Sequence, residues 1–207
     1  MILRSHFRPQ LQSKLLFNFA RLYHNSLESF LVHAKSTGLA TQSTYYVGTL
    51  YEYVVQRALA TSANMDLEHS GGAGDNGIDL RGSMPVPNAH KSIPVIVQCK
   101  FENKNPGVRY VRELDGCLTS YSKITLGILA GPLPVTVAAK RALAASHNAM
   151  AFCLVTGYDQ GGLATQMIWN AAAQRLLQGL KVVTVHREIK NEGKRELIQS
   201  VAIVNTL

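Results

Sequence analysis

The 207-residue chain has no run approaching the roughly 18 consecutive apolar residues of a membrane-crossing helix, so no membrane span is expected. Cysteine is scarce. Cys99, Cys117 and Cys153 are scattered, odd in number and form no CxxC pair. That argues against a zinc site or a disulfide framework and for reduced, mostly buried thiols. No Gly-Lys-Ser/Thr follows a glycine loop, which excludes a P-loop. There is no internal repeat and no low-complexity linker. Acidic residues are missing altogether before Glu28, where Arg4, Arg8, Lys14 and Arg21 stand. Of the formal net charge of +8, these four account for half, leaving 8 − 4 = +4 for the rest. Such a remainder is compatible with binding a polyanion without establishing it.

What the chain does contain begins with that acid-free segment. Phe7, Leu11, Leu15, Phe19 and Leu22 recur in steps of three and four and share one helical face. Pro9 places the helix from Gln10 onward. A basic amphipathic segment without acids reads as a mitochondrial transit peptide over residues 1–25, with Arg21-Leu22-Tyr23 resembling a processing site. A folded surface helix is the alternative. Residues 26–207 then form one domain, a length that suits a full hydrophobic core.

Along that domain, Ser26 caps a short helix to Lys35, stopped by Gly38. A longer helix is expected over Thr44–Thr61, and short strands over Met65–His69 and Ile78–Leu80. Val95–Lys100 reads as a clear strand. Thereafter the periodicity predicts a helix over Val108–Lys123, a buried strand over Ile124–Ala130 and a proline-opened helix over Pro134–His147. A strand over Ala151–Val155 and a helix over Ala164–Gln178 follow. Lys181–Arg187 and Leu197–Val204 can close as a hairpin across the charged turn Asn191–Lys194. This order implies one α/β domain with a mixed central sheet flanked by helices.

The segment Gly72-Ala73-Gly74-Asp75-Asn76-Gly77 matches G-x-G-x-x-G literally. A dinucleotide site needs a helix opening at its end, whereas Ile78-Asp79-Leu80 reads as a strand, and Asp75 would face the pyrophosphate. The loop is read as a turn, with Asp75 stabilising it. On the Val95–Lys100 strand, Val95, Val97 and Cys99 share the core face while Gln98 and Lys100 share the other. Taken alone, that is how a half-buried strand emerges into solvent. His69, His90 and His147 lack the mutual spacing of a metal triad and read as surface or loop residues. Trp169, inside the late helix, reads as core packing.

Three segments acquire meaning in combination. Gly48-Thr49-Leu50-Tyr51-Glu52, Gly74-Asp75-Asn76-Gly77-Ile78-Asp79 and Val97-Gln98-Cys99-Lys100 together resemble the Mrr-type restriction endonucleases, members of the superfamily named for its Asp and Asp/Glu-x-Lys residues. Val111-Arg112-Glu113-Leu114 and the stretch from Gly127 to Ala145 resemble later parts of the same domain, so the resemblance covers about residues 44–155. Joined to a mitochondrial address, it is similar to the fungal family called "required for respiratory growth".

The resemblance implies a restriction-endonuclease-like core in αβββαβ order and a Mg²⁺-dependent, or Mn²⁺-dependent, endonuclease site. Its metal ligands would be Asp79, the Gln98 amide oxygen, the Cys99 backbone carbonyl and, through water or a second metal, Glu52. Lys100 would orient or deprotonate the attacking water or stabilise the charged phosphorane. Glutamine at 98, the usual form in the Mrr-type branch where glutamate is commoner in the wider superfamily, removes one negative charge from the site. The implied partner is nucleic acid, mitochondrial DNA first, in the matrix, with a homodimer as one option. The alternative is a nuclease-fold protein that binds nucleic acid or plays a structural part without cutting.

Overall fold

The computed structural model describes residues 24–70, 77–86, 92–157, 162–191 and 194–206. The segment expected to be a transit peptide, the glycine loop with Asp75, and His90 therefore lie outside the described residues, apart from His24, Asn25 and Gly77. Helix α1 (Leu27–Thr37) starts where Ser26 and Ser29 satisfy each other's backbone N–H groups in a capping box. It ends at Gly38, whose φ of 65° closes the last turn. Helix α2 (Thr44–Ala63) is capped by the Ser43 hydroxyl and stopped by Asn64 at φ 50°. Val54, Val55, Ala58 and Leu59 form its buried stripe.

Strands β1 (Asp66–His69), β2 (Leu80–Met84) and β3 (Ile93–Cys99) form an antiparallel meander. Helix α3 (Val108–Leu118) crosses over to β4 (Leu126–Gly131), which pairs parallel to β3. Helix α4 (Val137–Ala145) leads to β5 (Met150–Thr156), parallel to β4. Strand β6 (Leu163–Trp169) then pairs antiparallel to β5 and completes a six-stranded sheet in the order β1-β2-β3-β4-β5-β6. Helix α5 (Ala171–Leu176) leads into a separate hairpin, β7 (Leu180–Asn191) and β8 (Lys194–Asn205), longer than expected but in the expected place. The element order α2-β1-β2-β3-α3-β4 is the anticipated αβββαβ, in a mixed sheet flanked by helices. No helix of the described residues is long and apolar enough to cross a membrane.

The sheet is buried on both faces, which is why β4 is buried at every position and reads as a continuous apolar run. Val95, Val97, Ile128, Ala130, Ala151 and Val155 face one core, shared with α1 and α2. Ile96, Leu129, Met150 and Phe152 face the other, shared with α3 and α4. The cysteines are all free, as expected; Cys153 is buried, whereas Cys99 and Cys117, also expected to be mostly buried, are half-buried residues.

Three expectations need correction. The helix expected over Ala164–Gln178 is strand β6 followed by the short α5, because Asn170 caps a helix only after the chain has paired with β5. Trp169 accordingly ends a strand; it packs partly against the core and its indole N–H donates to Gln174 Oε1 at 2.6 Å. The helix expected from Pro134 begins at Val137, since the Thr136 hydroxyl accepts the Ala139 N–H at 3.1 Å and sets the start. The helix expected to reach Lys123 ends at Leu118, with Thr119, Ser120 and Tyr121 donating back to Gly116, Cys117 and Leu118 in tight turns.

Candidate functional site

Strands β2 and β3 run antiparallel, so the start of one and the end of the other meet at the same end of the sheet. Leu80 lies opposite Val97. One residue earlier, the Asp79 N–H donates to the Val97 carbonyl at 2.9 Å. The Asp79 carboxylate reaches across: its Oδ2 accepts the Cys99 N–H at 2.7 Å. Gly77 sets this approach. Its φ is +73°, which glycine adopts freely, and a Cβ there would stand 2.8 Å from Gln98 Nε2, so a larger residue would have to displace the Gln98 amide for the turn to close.

Gln98 is 2% exposed, and its Oε1 is buried with no hydrogen-bond partner among the described residues. Buried acceptors are rarely left so, because the lost hydration costs about 1–3 kcal/mol. Two residues on, the Lys100 N–H donates to the Ala130 carbonyl, which anchors the strand end to β4. The Lys100 ammonium sits 5.4 Å from the centroid of the Tyr110 ring. Tyr110 in turn donates its hydroxyl to Glu102, and that bond raises its pKa. Gln98 and Lys100 line one open groove of about 600 Å³ against α3, as their shared strand face anticipated.

Glu52 approaches the same end of the sheet from α2, on the other face. Its carboxylate is bonded to His69 Nε2, and both side chains are part-buried. His69 is also stacked on Tyr53, with ring centroids 5.1 Å apart and planes at 18°. Burial, with Glu52 adding, pushes the Tyr53 hydroxyl up to about 12. The expectation that His69 is a surface or loop residue is therefore corrected: it belongs to β1 and faces the α2 side. His147 is exposed, as expected. The Cys99 thiol lies between the charged groups. Burial first, then Asp79 and Glu52, hold it well above the ordinary thiol value, against an opposing effect of Lys100. All three charged residues thus act on one sulfur atom, which stays protonated.

Asp79, Gln98, Cys99 and Lys100 are brought together, and Glu52 reaches their vicinity while engaged by His69. His69 and Tyr110 are neighbours that no motif announced, since each depends on packing between elements distant in sequence; Arg112 stood in the Val111–Leu114 segment of the resemblance, but without a role. Among the described residues, no three His, Cys, Asp and Glu side chains are grouped to hold a metal ion. The donors present are oxygens: one carboxylate, that of Asp79, with the unpartnered Gln98 amide oxygen and the backbone.

Fold and site together define an α/β protein with a helix-covered mixed sheet and a polar cluster at one strand end. The family described as "Required for respiratory growth protein 7" matches residues 43–93 and 84–185, well over half the chain, and the chain belongs to that family. An uncharacterized mitochondrial protein of Schizosaccharomyces pombe is 35% identical over 79% of this chain and 66% of its own length. The mitochondrial required for respiratory growth protein 7 of Saccharomyces cerevisiae is 39% identical over 30% of this chain and 26% of its own. That of Lachancea thermotolerans is 38% identical over 36% and 28%. The matched stretch thus spans at most 66% of these relatives. No solved structure matches.

Proposed function

We propose that this chain is a mitochondrial matrix protein needed for respiratory growth, whose core is a restriction-endonuclease-like, Mg²⁺-dependent phosphodiesterase acting on nucleic acid, mitochondrial DNA first. The names of its relatives support a mitochondrial location and the physiological role. The observation that carries the chemistry is the orphaned Gln98 Oε1, buried beside Asp79 and Lys100 at the same strand end.

Oxygen donors of this kind suit a hard divalent cation, Mg²⁺ or Mn²⁺. Asp79, Gln98 Oε1 and the Cys99 carbonyl would hold it. Such an ion supplies charge stabilisation at a phosphoryl oxygen and lowers the pKa of water. Asp79 keeps its orientation because the Cys99 N–H holds Oδ2. Lys100, steadied over Tyr110, presents a cation to the charge that develops on the phosphoryl group. Glu52 contributes through water, or directly once His69 releases it.

The second reading, a nuclease-fold protein that binds nucleic acid without cutting, is favoured by the Glu52–His69 bond and by glutamine in place of a charged ligand. Mg²⁺-dependent cleavage of duplex, single-stranded and branched DNA and RNA, with Lys100→Ala and Asp79→Asn as controls, separates the two. Asparagine can still accept the Cys99 N–H, so Asp79→Asn is expected to fold and to lose both cleavage and the Mg²⁺ stability response. Cleavage absent in wild type, with substrate still bound, establishes the second reading.

A further inference from the structure

The groove on the α3 side of the site has its own electrostatics and its own clearance. Its lining includes Gln98 from β3 and Lys100 just after it, Arg112, Glu113 and Gly116 from α3, and Ser120 just beyond that helix. The acidic member, Glu113, is already paired: its Oε1 accepts from Arg109 Nε at 2.6 Å. Arg112 is exposed and has no hydrogen bond or ion pair among the described residues. Lys100, over the Tyr110 ring, makes no ion pair among the described residues either, so two cations without a carboxylate partner line the groove.

Gly116 stands inside helix α3, where glycine costs about 1 kcal/mol relative to alanine. A Cβ there would meet nothing within 4 Å. Packing does not require the glycine, and its effect is to keep the groove wall low. At the groove's inner end lies the buried, unpartnered Gln98 Oε1. The volume of about 600 Å³ falls in the range of sites that hold ligands of nucleotide size.

We propose that this groove is the track of a single nucleic-acid strand flanking the phosphate at Asp79 and Lys100, with Arg112 contacting a neighbouring phosphate and Gly116 keeping the channel open. This rests on the phosphodiesterase reading of the adjoining site and adds the form and path of its substrate. A single strand fits because the groove between the end of β3 and α3, about 600 Å³, has room for a nucleotide or two and presents the Lys100 and Arg112 cations to its phosphates.

The test is binding of a short fluorescent single-stranded oligonucleotide, and of the same sequence as a duplex, with metal withheld so that cutting plays no part. Arg112→Ala is expected to weaken single-strand binding about tenfold and to lower the salt slope by about one. Gly116→Gln, which adds bulk and no charge, is expected to weaken it similarly with the salt slope unchanged. Its melting temperature should not fall, because glutamine suits a helix better than glycine. Lys140→Ala, an exposed cation on α4 outside the groove, is the charge control and should bind as wild type does.

Wild-type affinity in both groove variants overturns the proposal, as does duplex binding equal to single-strand binding. Mg²⁺-dependent cleavage that survives both substitutions removes the groove and leaves the phosphodiesterase reading intact. Arg112-dependent single-strand binding without any cleavage keeps the groove and removes the phosphodiesterase.

Discussion

Gln98→Met probes the site through stability alone, before any substrate is involved. In wild type the Gln98 oxygen is buried without a donor among the described residues. That arrangement costs about 1–3 kcal/mol. Methionine has the same unbranched reach and nearly the same volume, and volume-conserving replacements cost under about 1.5 kcal/mol. The metal-free variant should therefore be more stable by about 1 kcal/mol, a rise of about 2–4 °C for a chain of this size. Magnesium at a hundred times its dissociation constant should add about 2.7 kcal/mol to wild type and less to the variant, which lacks the oxygen. The order of melting temperatures is thus expected to reverse between EDTA and saturating Mg²⁺. Thermal denaturation across a Mg²⁺ series reads this directly. Gln98→Glu, included as a third chain, should respond at lower Mg²⁺ because it adds a charged ligand. A Gln98→Met chain that melts below wild type in EDTA would show that Oε1 is satisfied and not held in reserve. Identical Mg²⁺ responses of wild type and Gln98→Met would refute the ligand assignment.

Three further outcomes are expected. Gly77→Ala should lose about 1–2 kcal/mol from the backbone alone, at φ +73°, and more from displacing Gln98, as read by urea denaturation; an unchanged midpoint refutes the tight turn. Asn170→Ala should lose about 3 kcal/mol or more on the same assay, because the Asn170 side chain accepts from Met150 N–H and Ala173 N–H and donates to Leu143, Ser146 and Asn148 carbonyls; a loss under about 1 kcal/mol would contradict that network. Burial, with His33 and His69 adding, lowers the His24 pKa below its ordinary 6.5, so the folded state disfavours the charged form. Stability is then undiminished above pH 6.5 and falls as the pH drops from 6.5 toward the folded value, since the unfolded chain takes up the proton first. His24→Gln should flatten that part of the stability–pH curve, and a curve as steep as wild type's would contradict the sign.

Local chemistry made several elements legible in the sequence. Ser26 and Gly38 bound α1 because a hydroxyl can satisfy helix N–H groups and glycine can take a positive φ. The alternation of Val95, Val97 and Cys99 with Gln98 and Lys100 separates core from site because strand side chains have period two. The segment Leu163–Leu177 shows where such reasoning stops. Ala171, Ala172 and Ala173 favour helix, and nothing local says that Leu163–Trp169 must instead be the edge strand; the open flank of β5, with unpaired backbone groups, decides it.

The candidate site divides the same way. Asp79, Gln98, Cys99, Lys100 and Glu52 were legible as a set because a motif keeps residue type and order. Their surroundings were not legible. Glu52 meets His69, Lys100 rests over Tyr110, Glu113 is taken by Arg109, and Arg112 is left facing the groove. Sequence alone determined which residues carry charge and which stand on one face of a strand, since both follow from covalent structure and backbone period. Only the tertiary structure decided which charges are already partnered and which polar atom is buried without a partner, because hydrogen bonding and burial depend on which elements pack together in space.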